Sequence, residues 1–230
     1  MIRARNSAKV EHEYAPNENR SCSLKNLYFI RHGQTQWNAI MRMQGQWNSD
    51  LSELGRKQAD INGQFLKSQN IKKLFVSPLD RTQQTAEIIN QHLNVGITLD
   101  DRIMEWDTGD WSGYLYADVK VKWQKEWQAF EADRFNYRGP NCENYPDMIE
   151  RSKPFLAQIQ TDPAENIGIV SHGLIGRVMI ATLLGLNEHE TFMVHQANDV
   201  IYRITIQGKT CAVDHFIGGE GPLAGISPAL

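Results

Sequence analysis

At 230 residues, 41% hydrophobic and 22% charged, the chain has the size to bury a substantial core as one α/β domain with an insertion. A net charge of −3 gives no reason to expect nucleic acid or an anionic membrane surface as a partner. No apolar run approaches the ~20 residues of a membrane span, and no apolar stretch follows Arg3, Arg5 and Lys9 as a secretory signal requires. Residues 1–23 then read as a polar arm, and residues 24–30 as a strand ending in Arg31-His32-Gly33. Residues 51–69 read as a helix capped by Ser52, with Leu54, Ile61 and Phe65 on one face. A short strand over 71–76 leads into Ser77-Pro78, which suits a helix start, with Leu79, Thr82, Ala86, Ile89 and Leu93 at helical spacing. A brief strand at 97–99 follows. Residues 115–130 repeat Val119, Trp123, Trp127 and Phe130 as a single amphipathic helix would. A helix over 145–160 contains Pro154, which should kink or break it. A strand at 167–170, a helix at 174–184 and a hairpin of 200–206 with 211–217 around Gln207-Gly208-Lys209 complete the pattern.

Alternating strands and helices predict a three-layer α/β/α sandwich with a mostly parallel central sheet. The domain spans 24–217, with a helical insertion over the site at about 114–145 and an irregular tail at 218–230. Cys22, Cys142 and Cys211 are odd in number and lack Cys-x-x-Cys spacing, which fits a reduced, cytoplasmic chain better than a disulfide framework.

The chemistry gathers at predicted strand ends, where open α/β sheets bind ligands. Arg31 and His32 follow the first strand, and Ser171-His172-Gly173 follows a later one. An imidazole can act as a nucleophile when a neighbouring cation holds an anionic substrate against it. Arg81, in the first turn of the helix after Ser77-Pro78, adds a fork of donors where a helix N-terminus already favours an anion. The bland alternative pairs Arg81 with Asp80 or Glu87 on a solvated face. Glu105 sits among Met104, Trp106 and Trp111, partly out of water and so suited to proton donation. Asp107 and Asp110 rival it on position alone. His189 and His195 carry no motif and read as structural, and the six Trp between Trp37 and Trp127 read mainly as packing for the insertion.

These blocks together resemble the histidine phosphatase superfamily, in its phosphoglycerate mutase-like group, over most of the chain. Arg31-His32-Gly33-Gln34-Thr35 with Asn38 is similar to that family's Arg-His-Gly-x-Thr signature. Gln44-Gly45, Leu51-Ser52-Glu53-Leu54-Gly55, Ser77-Pro78-Leu79 with Arg81, Glu105 with Gly109, Trp111 and Gly113, and Ser171-His172-Gly173 follow in the family's order. The resemblance implies that His32 is phosphorylated and that His172 stabilises the transferring group. It further implies that Arg31 and Arg81 hold the phosphoryl oxygens, that Asn38, Gln44, Gly45 and Gly173 bind substrate, and that Glu105 donates the proton. No cofactor is expected, and no metal, because no His/Cys/Asp cluster has ligand spacing. The expected partner is a small phosphorylated molecule, with a homodimer left open.

Departures from the mutase pattern favour a phosphatase. Glu105 is followed by Trp106-Asp107-Thr108 rather than Arg-His-Tyr, and Tyr116 stands where a substrate-binding Lys is expected. The insertion offers only isolated Arg134 and Arg138, and Asn141-Cys142-Glu143 replaces a Gly-Gly-Glu block. The expected activity is metal-independent hydrolysis of phosphomonoesters through phospho-His32. A phosphoglycerate mutase, or a non-catalytic phospho-ligand module on the same scaffold, are the alternatives.

Overall fold

Along β1 (Lys25–Arg31) successive side chains leave opposite faces of a sheet, as strand geometry requires. Leu27 and Phe29 enter one core, Tyr28 and Ile30 the other. The same alternation recurs downstream, Ile167 and Ile169 joining the first core and Val170 the second. A sheet buried on both faces needs helices on both faces. The computed structural model, which describes residues 24–227, supplies them. In chain order β1 is followed by α1 (Gln36–Ala39), α2 (Glu53–Lys67), β2 (Lys73–Val76), α3 (Asp80–Leu93), β3 (Gly96–Leu99), α4 (Tyr116–Lys122) and α5 (Gln124–Ala132). Then come α6 (Tyr145–Thr161), β4 (Asn166–Ser171), α7 (Gly173–Leu184), α8 (Glu188–Met193), β5 (Val200–Gln207), β6 (Thr210–Ile217) and β7 (Glu220–Ala224). Leu66, Ala86 and Ile89 of α2 and α3 cover one face, and Phe155, Ile159, Ile175 and Val178 of α6 and α7 cover the other. The three-layer sandwich is therefore observed, and none of its described helices is long and apolar enough to cross a membrane.

The strand order is β3-β2-β4-β1-β5-β6-β7. Only half of it is parallel: β2–β3, β2–β4 and β1–β4 are parallel, whereas β1–β5, β5–β6 and β6–β7 are antiparallel. Short connections leave β5–β6 and β6–β7 no other choice, because a parallel neighbour needs a long crossover. The seventh strand corrects the expectation of an irregular tail from 218 onward. Gly218 and Gly219, with φ of 57° and 83°, reverse the chain so that Glu220 pairs with Ile217, and Pro222 is tolerated because β7 is an edge. The polar arm expected over residues 1–23 lies outside the described residues.

Three helices also differ from expectation. In α2 the buried side is Gly55, Ala59, Asn62, Gly63 and Leu66, while Leu54 and Ile61 are 50% and 43% exposed. Small residues set this face: a Cβ on Gly55 would lie 2.0 Å from the Gln34 carbonyl oxygen, and one on Gly63 2.5 Å from the His92 ring. The single helix expected over 115–130 is two, because Trp123 has a non-helical ψ of 48°. Pro154 does not break α6; it and Glu150 lie on the exposed side, where water can take the carbonyl that proline leaves unpaired.

Candidate active site

Parallel register sets Arg31 beside Ser171 and Val76 beside Val170, so β1, β4 and β2 end together. The His32 N–H donates to the Ser171 carbonyl over 3.0 Å, which ties the two histidine-bearing turns to each other. Their rings stand 5.2 Å apart at 63°. Gly33 serves this turn through its neighbour rather than through a ligand: a Cβ there would fall 2.2 Å from the Gly55 carbonyl oxygen.

His32 Nδ1 lies 2.7 Å from the Gly33 carbonyl, which accepts only from an N–H, so Nε2 is left with its lone pair. Arg81 Nε–H points at that Nε2 (3.2 Å) and at His172 Nδ1 (3.1 Å), while His172 Nε2 meets the Ser77 hydroxyl at 2.7 Å. Burial, with Arg81 and Arg31 beside it, holds the His32 pKa well below the ordinary imidazole value. Burial, Arg81 and the neighbouring His32 do the same to His172. Both rings are neutral at pH 7.

Arg81 does not pair with Asp80 or Glu87. Its side chain is 1% exposed, and its two terminal nitrogens donate to the carbonyls of Gly45 (2.7 Å) and Trp47 (2.8 Å). Burial draws its pKa down to about 10, still well above neutrality. Gly45 has a φ of 51° and leaves no room for a Cβ, which would sit 2.3 Å from Thr108 Oγ1. Arg31 donates to the Gln196 carbonyl (2.9 Å) and packs on Gly173, where a Cβ would come within 3.3 Å of its guanidinium carbon. Glu105 takes three backbone N–H groups, from Trp106 (2.9 Å), Ile175 (3.1 Å) and Leu174 (3.3 Å), so its carboxyl crowns the N-terminus of α7. Asp107 accepts from Gly109 N–H, Asp110 accepts from Asn141, and neither lines the cavity.

That cavity has a volume of about 380 Å³. Every residue to which the family resemblance gives a catalytic or substrate-binding role lies on its wall except His172, which is fully buried behind Arg81. Asn38 gives its side-chain oxygen to the Thr35 N–H, so its NH₂ is what it offers a ligand. Buried polar atoms without a protein partner cluster here: Arg31 Nε, Arg42 Nε and Gln44 Oε1. Among the described residues no group of three or more His, Cys, Asp or Glu is placed to hold a metal ion.

The family profile of the histidine phosphatase superfamily (branch 1) matches residues 27–217. The chain belongs to the histidine phosphatase superfamily. Phosphoserine phosphatase 1 of Hydrogenobacter thermophilus is 32% identical over 162 residues, covering 70% of this chain and 77% of that one. Probable phosphoglycerate mutase GpmB of Cronobacter sakazakii is 33% identical over 183 residues, covering 79% and 85%. In fold, the alpha-ribazole phosphatase of Shigella flexneri superposes with a TM-score of 0.79 at 23% identity, over 88% of this chain and 99% of that one. The superfamily resemblance seen in the sequence is thereby established, and its known relatives include both phosphatases and mutase-like proteins.

This member of the histidine phosphatase superfamily also has wall residues that sequence reasoning missed. His195, read as structural, lines the cavity together with Arg42, Arg177 and Asn198. Asn198 donates its amide to the His32 carbonyl at 2.7 Å. Tyr202 on β5 donates its hydroxyl to the His195 carbonyl (2.7 Å) and accepts from the Ser227 N–H (3.0 Å). The available signal was topological: β5 runs antiparallel to β1, with Ile201 opposite Ile30, so the segment before β5 arrives beside His32. The tryptophans mostly pack the insertion as expected, Trp106, Trp111 and Trp127 clustering with Phe130.

Proposed function

We propose that this chain is a metal-independent phosphomonoesterase that passes a phosphoryl group from substrate to His32 and from His32 to water. The observation carrying this reading is the state of His32: a neutral ring with Nδ1–H committed to the Gly33 carbonyl and Nε2 facing the Arg81 guanidinium. The Nε2 lone pair attacks phosphorus, the ester P–O bond breaks, and the leaving oxygen takes a proton from Glu105. Water then attacks the phosphohistidine, returns a proton to Glu105 and releases phosphate from nitrogen. Negative charge on the transferring oxygens meets Arg31, Arg81 and the His172 side of the site, where preorganised donors are the main catalytic device. Asn38, Gln44 and the backbone at Gly45 and Gly173 complete the phosphoryl cradle. Arg138 pairs with Asp147, and neither it nor Arg134 lines the cavity, so the insertion lacks the basic set of a mutase.

Acid-quench labelling with a radiolabelled aryl phosphate tests this reading. An acid-labile phosphoryl group should appear on the protein and be lost in His32→Ala, and undiminished turnover in that variant would overturn the mechanism. The mutase-like relatives give the second reading, phosphoglycerate mutase activity. It predicts 2-phosphoglycerate from 3-phosphoglycerate where the phosphatase reading predicts free phosphate.

A further inference from the structure

The end of α1 closes as a Schellman motif: the Arg42 N–H donates to the Trp37 carbonyl (2.9 Å) and the Met41 N–H to the Asn38 carbonyl (3.1 Å). Such a motif needs a left-handed residue just past the helix cap, and Met41 takes that place with a φ of 55°. Glycine or asparagine usually stands there, because a Cβ in this conformation crowds the following carbonyl. Among the described residues the other non-glycine positions with positive φ are all asparagine, Asn70, Asn94 and Asn141. Core burial does not offset the strain, for Met41 is 65% exposed. Strain kept without a packing gain points to a use for the side chain. Met41 lines the cavity, and its carbonyl accepts the Tyr116 N–H (3.1 Å), which sets Tyr116 beside it on the same wall. The Tyr116 ring stands edge-on to Trp127, with 6.4 Å between centroids at 87°. Ile40 and Trp47, both more than half exposed, bracket this segment in the chain, and the Trp47 ring lies against Gly113, where a Cβ would fall 2.8 Å from it. Arg81 is buried and Met41 open to solvent, so the cavity joins a cationic floor to an apolar rim.

We propose that the substrate is a phosphomonoester of an apolar alcohol, and that Met41 and Tyr116 grip its hydrocarbon body while Arg31 and Arg81 hold the phosphoryl group. This rests on the phosphatase reading for the place of the phosphoryl group but not for its test. Calorimetry on the wild type compares ethyl-, butyl- and hexylphosphonate, which carry an equivalent anionic head and have no ester bond to break. Chains this short stay dispersed, so the measurement reads dissolved ligand and not a lipid surface. A methylene half-covered by the rim should tighten Kd about 2-fold, which makes hexylphosphonate about 10- to 20-fold tighter than ethylphosphonate. Met41→Asn suits the left-handed backbone, so its Tm should equal or exceed that of the wild type while the ratio falls to about 4-fold or less. Met41→Leu, equally apolar, should keep most of the ratio. Should Met41→Asn melt well below the wild type, Met41→Gly takes its place and the same ratio decides. A ratio near one in the wild type overturns the proposal, as does one that survives Met41→Asn or one that Met41→Leu loses as fully. Failure to form a phosphoenzyme on His32 would instead overturn the phosphatase reading and leave this comparison intact.

Discussion

His32 and His172 carry a pH signature because the fold holds both uncharged. Their folded pKa values lie below the unfolded value near ~6.5, so the folded state binds fewer protons than the unfolded chain. Stability is full above that value and drains as the medium is acidified through it. Urea denaturation at pH 7 and at pH 5.5 should therefore show the wild type losing more stability on acidification than a His32→Gln/His172→Gln double variant. Equal pH slopes would refute the neutral pair. Glu105 invites a separate measurement. Replaced by Gln it should slow hydrolysis of an alkyl phosphate by about 10²- to 10⁴-fold and that of an aryl phosphate far less, since an aryl oxide leaves without a proton. Similar losses on both would move the acid's role elsewhere. Arg31 and His32 at the end of β1, Arg81 in the first turn of α3 and His172 after β4 were legible because a strand or helix end fixes place in the fold, whereas Glu105 was legible from its apolar neighbours. Arg177 and His195 were not, since their approach to the site depends on which strand pairs with β1, and that is a long-range choice.

At the scale of elements, the acid loop is fastened from outside. Arg151 on α6 holds both carboxylate oxygens of Glu143 (2.8 Å each) and reaches the carbonyls of Arg102, Met104 and Glu105. Glu143 in turn accepts from the Asp107 N–H, and its carbonyl accepts from the Trp106 indole. Arg151→Gln should misplace Glu105 and lower kcat on alkyl phosphates by about 10- to 100-fold, with a smaller loss on aryl ones. Parallel losses would make Arg151 a stability residue only. Helix α2 offers a contrast between neighbours. Gly55→Ala drives a methyl into the Gln34 carbonyl and should destabilise by more than about 2 kcal/mol. Leu54→Ser, on the half-exposed side, should stay within about 0.5 kcal/mol. Thermal melts of the two variants decide it. Sequence periodicity showed that α2 exists but pointed to the wrong side, because the eye follows large apolar residues and here the close contact is made by glycines. The same bias hid β7: Gly218-Gly219 was read as looseness, whereas two glycines between Ile217 and Glu220 are a hairpin turn.

At the scale of the molecule, the site lies where the sheet changes character. β1 has a parallel neighbour on one side and an antiparallel one on the other, so chain segments far apart in sequence converge on its end. Alternation of strands and helices made the layers legible, and chain order alone could not give the half-antiparallel sheet. Orthophosphate, the product of the proposed reaction, should stabilise the whole domain through this junction. At 100 times its Kd the gain is about 2.7 kcal/mol, or about 5–10 °C in Tm for a chain of this length. Differential scanning fluorimetry should show that rise and show it lost in Arg81→Met; no shift in the wild type would argue against an anion site. One consequence concerns Tyr202, whose phenol links the pocket loop at His195 to the backbone at Ser227. Force applied at Ser227 would travel through that hydroxyl toward the wall of the anion pocket. A chain immobilised for sensing or pulling measurements should not be gripped at Ser227, because a handle there would tug on its own readout.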